Sequence, residues 1–402
     1  MFKSYFNFFS FFFFFFCLTY EEPTSLDQWI FPYRLYGQLF FLVVLAKYIF
    51  KIGFSNTLNF LFKKQYTAYI ILIFIPTLFS FFLPVINSDG LRTSVLSLIL
   101  FLFPILFLKN NSQHKFFSLL INYSNVVLIM SIIAFLRNLF DLSFLGLNLS
   151  KIEFGRLTGW MHSPNYFATF VGLAFLIEQY KISNTKKISL FSYVKLVAFG
   201  LAILFSGSRG AMVSIIVIII INEYNNFRIT GVKSAIKRIV VMISFVVVGF
   251  FFSNDNLTSQ FNENITREDT EILDDPRVEI WTTSLMSWSD SGLSSKFFGS
   301  GLLSSMEIAG RSTHNSYLSA MFDFGLFYLI YLLIYILFLL RKSWYYSKKN
   351  SLFTLIFTLI LFIIIRSFSN NTLGGTSFSQ LIFNFCLIII LNRNTHKNNL
   401  YN

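Results

Sequence analysis

The sequence is poor in charge and in cysteine. Only 13% of its 402 residues are charged and 55% are hydrophobic, whereas a soluble chain carries about 25% charged residues. A soluble multidomain enzyme is excluded, because no globular core needs so many continuous apolar stretches. The two cysteines, Cys17 and Cys386, both lie in apolar runs. A disulfide framework and a CxxC metal site are therefore excluded as well.

The apolar residues form runs about as long as a membrane-spanning helix, which needs roughly 20 residues. Transmembrane barrels have shorter, alternating segments, and the sequence contains none. We predict an all-α polytopic membrane protein with about twelve transmembrane helices. The spans are expected at residues 5–20, 31–50, 66–86, 91–108, 116–139, 164–180, 188–207, 210–222, 239–252, 317–340, 351–368 and 376–391. Residues 1–252 thus hold nine helices, residues 253–316 form a polar outer loop with short helices, and residues 317–402 hold three helices and a short cytoplasmic tail.

The basic residues predict the orientation of these spans. Lys and Arg accumulate in cytoplasmic loops, and 21 of the 32 basic residues fall on one side if both termini are cytoplasmic. The net charge of +13 then reflects topology and contact with anionic lipid rather than a nucleic-acid partner. Nine of the eleven basic residues left on the outer face are Arg. Because the planar fork of Arg binds phosphate bidentately, we expect an anionic ligand there, such as a lipid diphosphate.

The outer loop contains a predicted helix near residues 276–290. Asp274-Asp275-Pro276 is typical of a helix start, and an apolar stripe follows, made of Val278, Trp281, Leu285 and Trp288. Two Trp on such a stripe indicate a helix in the membrane interface, with Arg277 at its edge at phosphate depth. The acidic residues within 268–275 match no calcium-loop spacing and are interpreted as solvated surface. Gly299-Ser300-Gly301 is expected to be a turn rather than a phosphate cradle.

The outer loop ends with Arg311-Ser312-Thr313-His314-Asn315-Ser316. At a helix start the positive end of the dipole disfavours imidazolium, so we expect His314 to be neutral at neutral pH. A neutral, water-accessible His is a competent general base. Two ionisable residues inside later spans, Asp323 and Arg366, are expected either to pair with each other or to bind sugar hydroxyls. His162 is interpreted as structural.

Five groups of motifs follow one another along the predicted outer face. They are Gly155-Arg156-Leu157-Thr158-Gly159 with Ser163-Pro164-Asn165, Gly207-Ser208-Arg209-Gly210-Ala211, Asp275-Pro276-Arg277 with Trp281, Gly299-Ser300-Gly301-Leu302, and His314-Asn315-Ser316-Tyr317-Leu318 with Gly325. In this order, in a predicted twelve-span protein with a large outer loop, they resemble the O-antigen ligase/polymerase superfamily. The similarity covers about residues 120–370.

The resemblance implies a membrane glycosyltransferase of the bacterial inner membrane, acting at its outer face on glycans carried by undecaprenyl diphosphate. Such enzymes use no nucleotide sugar, cofactor or metal ion. The family's catalytic residues correspond to Arg209, Arg277 and His314; the cations bind the donor diphosphate and the histidine activates the acceptor hydroxyl. The substrate-binding candidates are Arg156, Arg311, Asn315, Trp281, Arg366 and Asp323. The implied partners are the lipid-linked glycan, membrane lipids, and the flippase and chain-length regulator of the same pathway.

Two activities in this superfamily share the donor. A polymerase adds the growing chain to another lipid-linked repeat unit, whereas a ligase transfers it to lipid A-core. An AT-rich composition, with 55 Phe residues in this chain, is common among polymerases of surface-polysaccharide clusters and favours that activity. A lipid-linked oligosaccharide flippase is the competing class, but transporters are typically built from repeated halves, and the sequence contains no apparent repeat.

Overall fold

The computed structural model describes residues 11–12, 15, 33–61, 63, 66–71, 99–109, 113–140, 156–161, 163–184, 189–230, 276–301, 304, 313–370, 373 and 378–392. These residues are almost entirely helical and include no strand, which confirms the predicted all-α fold for this part of the chain. The predicted span 239–252, most of the predicted spans 5–20 and 66–86, the first residues of the predicted span 91–108 and the acidic segment 268–275 lie outside the described residues.

The described helices follow the apolar runs of the sequence. Their bounds are α1 Tyr33–Ile52, α2 Phe54–Leu61, α3 Gln113–Leu139, α4 Pro164–Asn184, α5 Leu190–Phe205, α6 Arg209–Thr230, α7 Pro276–Asp290, α8 Leu293–Phe298, α9 Ser316–Ser347, α10 Ser351–Arg366 and α11 Phe378–Asn392. Residues 66–71 and Ile99–Lys109 are helical as well. Helix α4 begins at Pro164, as its sequence predicts, because the fixed φ of Pro suits the first turn of a helix.

Two of these helices have the length and composition of membrane spans: Lys115–Asn138 within α3, and Ser316–Ser347. Shorter apolar helices accompany them among the described residues: Ile99–Lys109, Leu190–Phe205, Arg209–Asn222, Ser351–Arg366 and Ser379–Asn392. Since a helix needs about 20 apolar residues to cross the hydrocarbon core, the two long helices support a membrane protein. The full number of spans stays a prediction.

The chain forms two compact units, each built from two separate stretches of sequence. The first unit comprises residues 1–40 and 117–269, and the second comprises residues 41–116 and 270–402. In the first unit α4 packs against α5 and α6, and in the second α9 packs against α8, α10 and α11. The predicted site residues are distributed over both units.

A fully buried carboxylate lies in the core of the first unit. Oε1 of Glu178 accepts hydrogen bonds from Nζ of Lys195 at 3.0 Å and from Oγ of Ser124 at 2.7 Å. Lys195 also donates to Oδ1 of Asn125. Because a charge is tolerated in a protein interior when it is paired and hydrogen-bonded, this group ties α3, α4 and α5 together. Lys195, one of the basic residues assigned to the cytoplasmic side, therefore belongs to the helix core rather than to a loop.

In the second unit, α9 is broken at Gly325, where φ is 84° and ψ is 174°. The break frees the carbonyls of Phe322 and Asp323, which in a continuous helix accept hydrogen bonds from residues four positions later. They accept instead from the backbone N–H groups of Ser300 and Gly301, both at 3.0 Å. The segment after α8 is therefore joined to α9 through backbone hydrogen bonds.

Two glycines make this junction possible. A Cβ atom on Gly325 would lie 2.2 Å from the carbonyl oxygen of Phe297, and a Cβ atom on Gly299 would lie 2.3 Å from that of Asp323. Both glycines also have a φ of 84°, which residues with a side chain rarely adopt. Gly299-Ser300-Gly301 is thus a turn, as expected, and its amide groups at Ser300 and Gly301 bond to α9 rather than to a phosphate.

Candidate active site

The first unit carries an arginine corner at the sharp turn between α5 and α6. Its members are Arg156, Asn165, Ser206, Ser208 and Arg209. Ser206 is the C-cap of α5, Gly207 turns the chain with a φ of 61°, and Arg209 is the first residue of α6. The chain therefore turns sharply between α5 and α6, where the predicted spans 188–207 and 210–222 meet. The exposed side chain of Arg209 lies at a helix N-terminus, where the dipole and the backbone N–H groups favour an anion.

Segments from three of the predicted motifs meet at this corner. Nε of Arg156 donates a hydrogen bond of 2.8 Å to the carbonyl oxygen of Ser206. The hydroxyl of Ser208 donates a hydrogen bond of 2.8 Å to Oδ1 of Asn165. The structure thus brings Arg156, from a segment 50 residues before Ser206, to the turn that leads into Arg209.

Arg137, in the last turn of α3, is a residue of this region that the sequence did not single out. Its Nη1 donates hydrogen bonds to the carbonyl oxygens of Gly159 at 2.9 Å and Met161 at 3.2 Å. A third hydrogen bond of 3.1 Å reaches the hydroxyl of Thr158, and the side chain is only 4% exposed. Arg137 therefore anchors the segment that carries Arg156. In the sequence, it is only one more Arg of the predicted outer face, and the same fork of donors suits carbonyls and phosphates alike.

The second unit carries a histidine corner, whose members are Arg277, Trp281, Thr313, His314 and Asn315. Helix α7 runs from Pro276 to Asp290, as the sequence predicts, and presents Trp281 to the segment before α9. Nε1 of Trp281 donates a hydrogen bond of 2.7 Å to the carbonyl oxygen of Thr313. This hydrogen bond holds the residue next to His314, and the placement of α7 in the membrane interface stays a prediction.

The backbone of His314 has an unusual conformation. Its φ is 49°, and it is the non-glycine residue with a positive φ in the described part of the chain. Such a conformation costs on the order of 1 kcal/mol and persists only where the surroundings enforce it. The preceding residue is held firmly, because the hydroxyls of Thr313 and Ser319 share a hydrogen bond of 2.7 Å. Local strain of this kind is concentrated at functional sites.

The environment of His314 keeps its imidazole neutral. Burial lowers the pKa of His314 below its usual 6.5, and the positive charge of Arg277 lowers that pKa further. The direction agrees with the expectation of a neutral ring, and its causes are desolvation first and the charge of Arg277 second. A half-buried, neutral imidazole beside a guanidinium has the protonation state that a general base needs.

Asn315 is the N-cap of α9. Its side-chain oxygen accepts hydrogen bonds from the backbone N–H groups of Tyr317 at 3.0 Å and Leu318 at 3.2 Å. The cap satisfies donors that the first turn of a helix leaves without intrahelical partners. Helix α9 therefore starts at Ser316, two residues after His314. The side-chain oxygen of Asn315 accepts the hydrogen bonds of the cap. The predicted contact of Asn315 with substrate would therefore use its amide nitrogen.

The start of α9 is joined to the end of α10, where Arg366 lies. The backbone N–H of Ser316 donates to the carbonyl oxygen of Ser367 at 2.9 Å. Arg366 is the last residue of α10, is fully buried, and donates from Nη1 to Oγ of Ser369 at 2.7 Å. A cation at a helix C-terminus is favoured by the dipole. Arg366 thus directly precedes Ser367, the residue that contacts the start of α9.

Asp323 and Arg366 have different hydrogen-bond partners. Oδ1 of Asp323 accepts a hydrogen bond of 3.2 Å from the hydroxyl of Ser304. Within the part of the chain that the structure describes, the ion pairs involve Glu178 and do not include Asp323 with Arg366. Pairing of Asp323 with Arg366 and contact of either residue with sugar hydroxyls both stay predictions.

The predicted site residues thus form two groups. Arg156 and Arg209 share the arginine corner of the first unit, and Arg277, Trp281, His314 and Asn315 share the histidine corner of the second. Arg311 and His162 lie outside the described residues. No three or more His, Cys, Asp or Glu side chains come together as a possible metal site within the described ranges. No protein-family model matches the chain, and no curated protein matches it either.

Proposed function

We propose that this chain is an integral membrane glycosyltransferase that polymerises undecaprenyl-diphosphate-linked repeat units into a surface polysaccharide, such as an O-antigen or a capsule. The observation that carries the proposal is the arginine corner, where Arg156 hydrogen-bonds to the turn that begins α6 at Arg209. Guanidinium groups at a helix N-terminus are suited to a diphosphate. The order of the sequence motifs, which resembles the O-antigen ligase/polymerase superfamily, supports the same donor.

In the proposed reaction, an acceptor hydroxyl oxygen forms a bond to the anomeric carbon of the donor sugar. The bond between that carbon and the diphosphate oxygen breaks, and undecaprenyl diphosphate leaves with the electron pair. His314 takes the proton of the hydroxyl. Arg209 and Arg156 stabilise the charge that develops on the diphosphate. Arg277 contributes positive charge beside His314 and keeps its imidazole in the basic form.

The proposal includes the membrane topology. Twelve spans with both termini in the cytoplasm place the loop 253–316 outside the inner membrane, together with the turn before Arg209. The excess of Lys and Arg in the loops on the cytoplasmic side supports this orientation. The two span-length helices, Lys115–Asn138 and Ser316–Ser347, support the membrane setting.

A deletion strain tests the proposed activity against its alternatives. Its surface polysaccharide, separated on a gel, should lose the ladder of chain lengths and retain a single repeat unit on lipid A-core. Long lipid-linked chains with none attached to the core would instead identify a ligase. Lipid-linked glycan that never reaches the outer face would identify a flippase.

Complementation of that strain tests the residues. We expect His314→Ala, Arg277→Ala and Arg209→Ala to insert normally and to abolish the ladder. Arg341→Ala is the matched control, because Arg341 is an exposed Arg near the other end of α9. Wild-type polysaccharide from the three site variants would overturn the assignment, provided that each reaches the membrane at the wild-type amount.

A further inference from the structure

A groove in the first unit has no role in the reaction described above. It lies between α4, α5 and α6, encloses about 240 Å³ and is lined by apolar residues alone. Representative lining residues are Phe175, Leu196, Gly200, Leu204, Met212 and Ile219. An apolar groove of this kind on helices of a membrane protein is suited to hydrocarbon rather than to a sugar or a peptide.

The lining of the groove extends along α5 and α6 toward the turn that joins them. On α5 its lining extends from Leu196 to Leu204, and on α6 from Ile219 to Met212. With a rise of 1.5 Å per residue, these stretches correspond to a length of about 12 Å. Leu204 and Met212 are the lining residues closest in sequence to the turn at Gly207, so the groove opens next to the corner.

Arg209 lies on the same face of α6 as the groove. Met212, Ile216 and Ile219, which line the groove, follow Arg209 by three, seven and ten residues. These spacings repeat on one side of an α-helix. Arg209 is exposed. Its guanidinium and the apolar lining of the groove therefore belong to one continuous surface.

The groove is open along its side. Ile216 is 55% exposed although it contributes to the lining. Gly200 leaves space at the base, because a Cβ atom there would come no closer than 3.9 Å to another residue, Phe175. A chain could therefore enter laterally from the surrounding hydrocarbon.

We propose that this groove holds the isoprenoid chain of the lipid-diphosphate donor, with the diphosphate at Arg209 and Arg156. The assignment of the lipid rests on the proposed function. Charge complementarity favours a lipid diphosphate as the occupant. Its anionic headgroup would bind the cations Arg209 and Arg156, and its apolar chain would pack against the apolar lining of the groove. Surrounding lipid is as apolar as the groove, so the groove contributes mainly by packing and orientation. It aligns the chain so that the diphosphate arrives at Arg209.

Photolabelling of the full chain tests this proposal. The protein is reconstituted in nanodiscs of phosphatidylethanolamine and phosphatidylglycerol, and the probe is geranylgeranyl diphosphate with a diazirine on its chain. We expect the label in peptides of α5 and α6 that line the groove. Unlabelled geranylgeranyl diphosphate should displace it, whereas additional phosphatidylglycerol should not. Equal displacement by phosphatidylglycerol would overturn the proposal, since the groove would then be an ordinary lipid-facing surface.

Variants separate the groove from the proposed function. Gly200→Leu fills the base, and we expect labelling to fall at least about threefold, the scale of packing contacts between membrane helices. Ile216→Trp narrows the groove from its exposed side, where a larger residue leaves the core intact. We expect labelling of this variant to fall to a similar extent. Val213→Leu is the control, because Val213 is exposed on α6 but outside the lining.

Inorganic diphosphate is the second probe for the same proteins. Its binding should persist in Gly200→Leu and Ile216→Trp and should be lost in Arg209→Ala. Unchanged labelling in both groove variants would overturn the groove while leaving the donor site in place. Failure of the wild-type chain to bind inorganic diphosphate would overturn the donor site itself and, with it, the groove proposal.

Discussion

The indole nitrogen of Trp281 donates a hydrogen bond of 2.7 Å to the backbone carbonyl of Thr313. Thr313 directly precedes His314, whose φ of 49° is the strained point of the histidine corner. The bond links α7 to Thr313, three residues before the start of α9, across 32 positions of sequence. Helix α7 therefore contributes to the orientation of His314, which lies just before α9.

Trp281→Phe should slow glycosyl transfer without unfolding the protein. The variant keeps a large ring and removes the N–H, so the Thr313 carbonyl loses a hydrogen bond that contributes about 1 kcal/mol. We expect kcat to fall while KM for the donor stays constant, because His314 loses its orientation. Trp288→Phe is the control, since Nε1 of Trp288 has no hydrogen-bond partner in the described part of the chain. Equal kcat values for the two variants would contradict the positioning role.

The pH dependence of kcat/KM should report the charge of Arg277. The pKa of His314 is lowered by burial and by Arg277, so the wild-type imidazole stays neutral, and active as a base, to a pH below the usual 6.5. Purified Arg277→Gln should retain a residual rate that is too low to produce a ladder in cells. In this variant the pKa of His314 rises, the base is protonated at higher pH, and the acid limb of the profile of that residual rate moves upward. Arg277→Lys retains the charge and should leave the limb in place. An unshifted limb in Arg277→Gln would show that His314 is not the titrating base.

Gly325→Ala and Gly299→Ala should each destabilise the second unit. A Cβ atom would approach a carbonyl oxygen to 2.2 Å or 2.3 Å, and the φ of 84° adds strain of about 1–3 kcal/mol. Thermal unfolding in detergent, followed by size-exclusion chromatography, measures the loss. Gly292→Ala is the matched control, because its Cβ would meet nothing within 4 Å and its φ is −64°. Melting temperatures equal to that of the control would refute the tight junction.

Lys195→Met should destabilise the first unit by about 3–5 kcal/mol, because it leaves Glu178 as a buried charge without its close partner. The double variant Lys195→Met/Glu178→Gln should recover much of this loss, since the glutamine is neutral and still accepts from Ser124. Lys181→Met provides the control: Lys181 lies 3.7 Å from Glu178 with its side chain 27% exposed, and such pairs contribute at most about 1 kcal/mol. Thermal unfolding of the wild type and the three variants measures these losses. Equal losses for the two lysine variants would contradict the core role of Lys195.

Local features of the structure agree closely with expectations from sequence. Among the described helices, apolar runs predicted most helix starts to within about three residues, although α6 and α9 extend eight and seven residues beyond the predicted ends at 222 and 340. Asp274-Asp275-Pro276 predicted the start of α7 at Pro276. The turn before Arg209 also follows from local chemistry, because Gly207 permits its positive φ. These features depend on residues within one or two turns of each other, which is the range over which periodicity and capping act.

Contacts between distant segments were not accessible in the same way. The break of α9 at Gly325 is unmarked in the apolar run, since Gly occurs in many membrane helices. The bonds of Arg137 to the segment at Gly159 and of Arg156 to Ser206 join parts of the chain 22 and 50 residues apart. The number of arginines on the predicted outer face does not indicate whether a particular guanidinium binds a carbonyl or an anion.

Composition and periodicity by themselves determined that the chain is helical, that it is suited to a membrane, and which few charged groups are candidates for chemistry. Tertiary structure decided how those groups are used. It assigned Arg137 to carbonyls, left Arg209 exposed at a helix start, and placed His314 near Arg277 in a strained backbone held through Thr313. The physical reason is that helix formation is local, whereas burial, pKa and the partner of a guanidinium depend on which distant segments pack together.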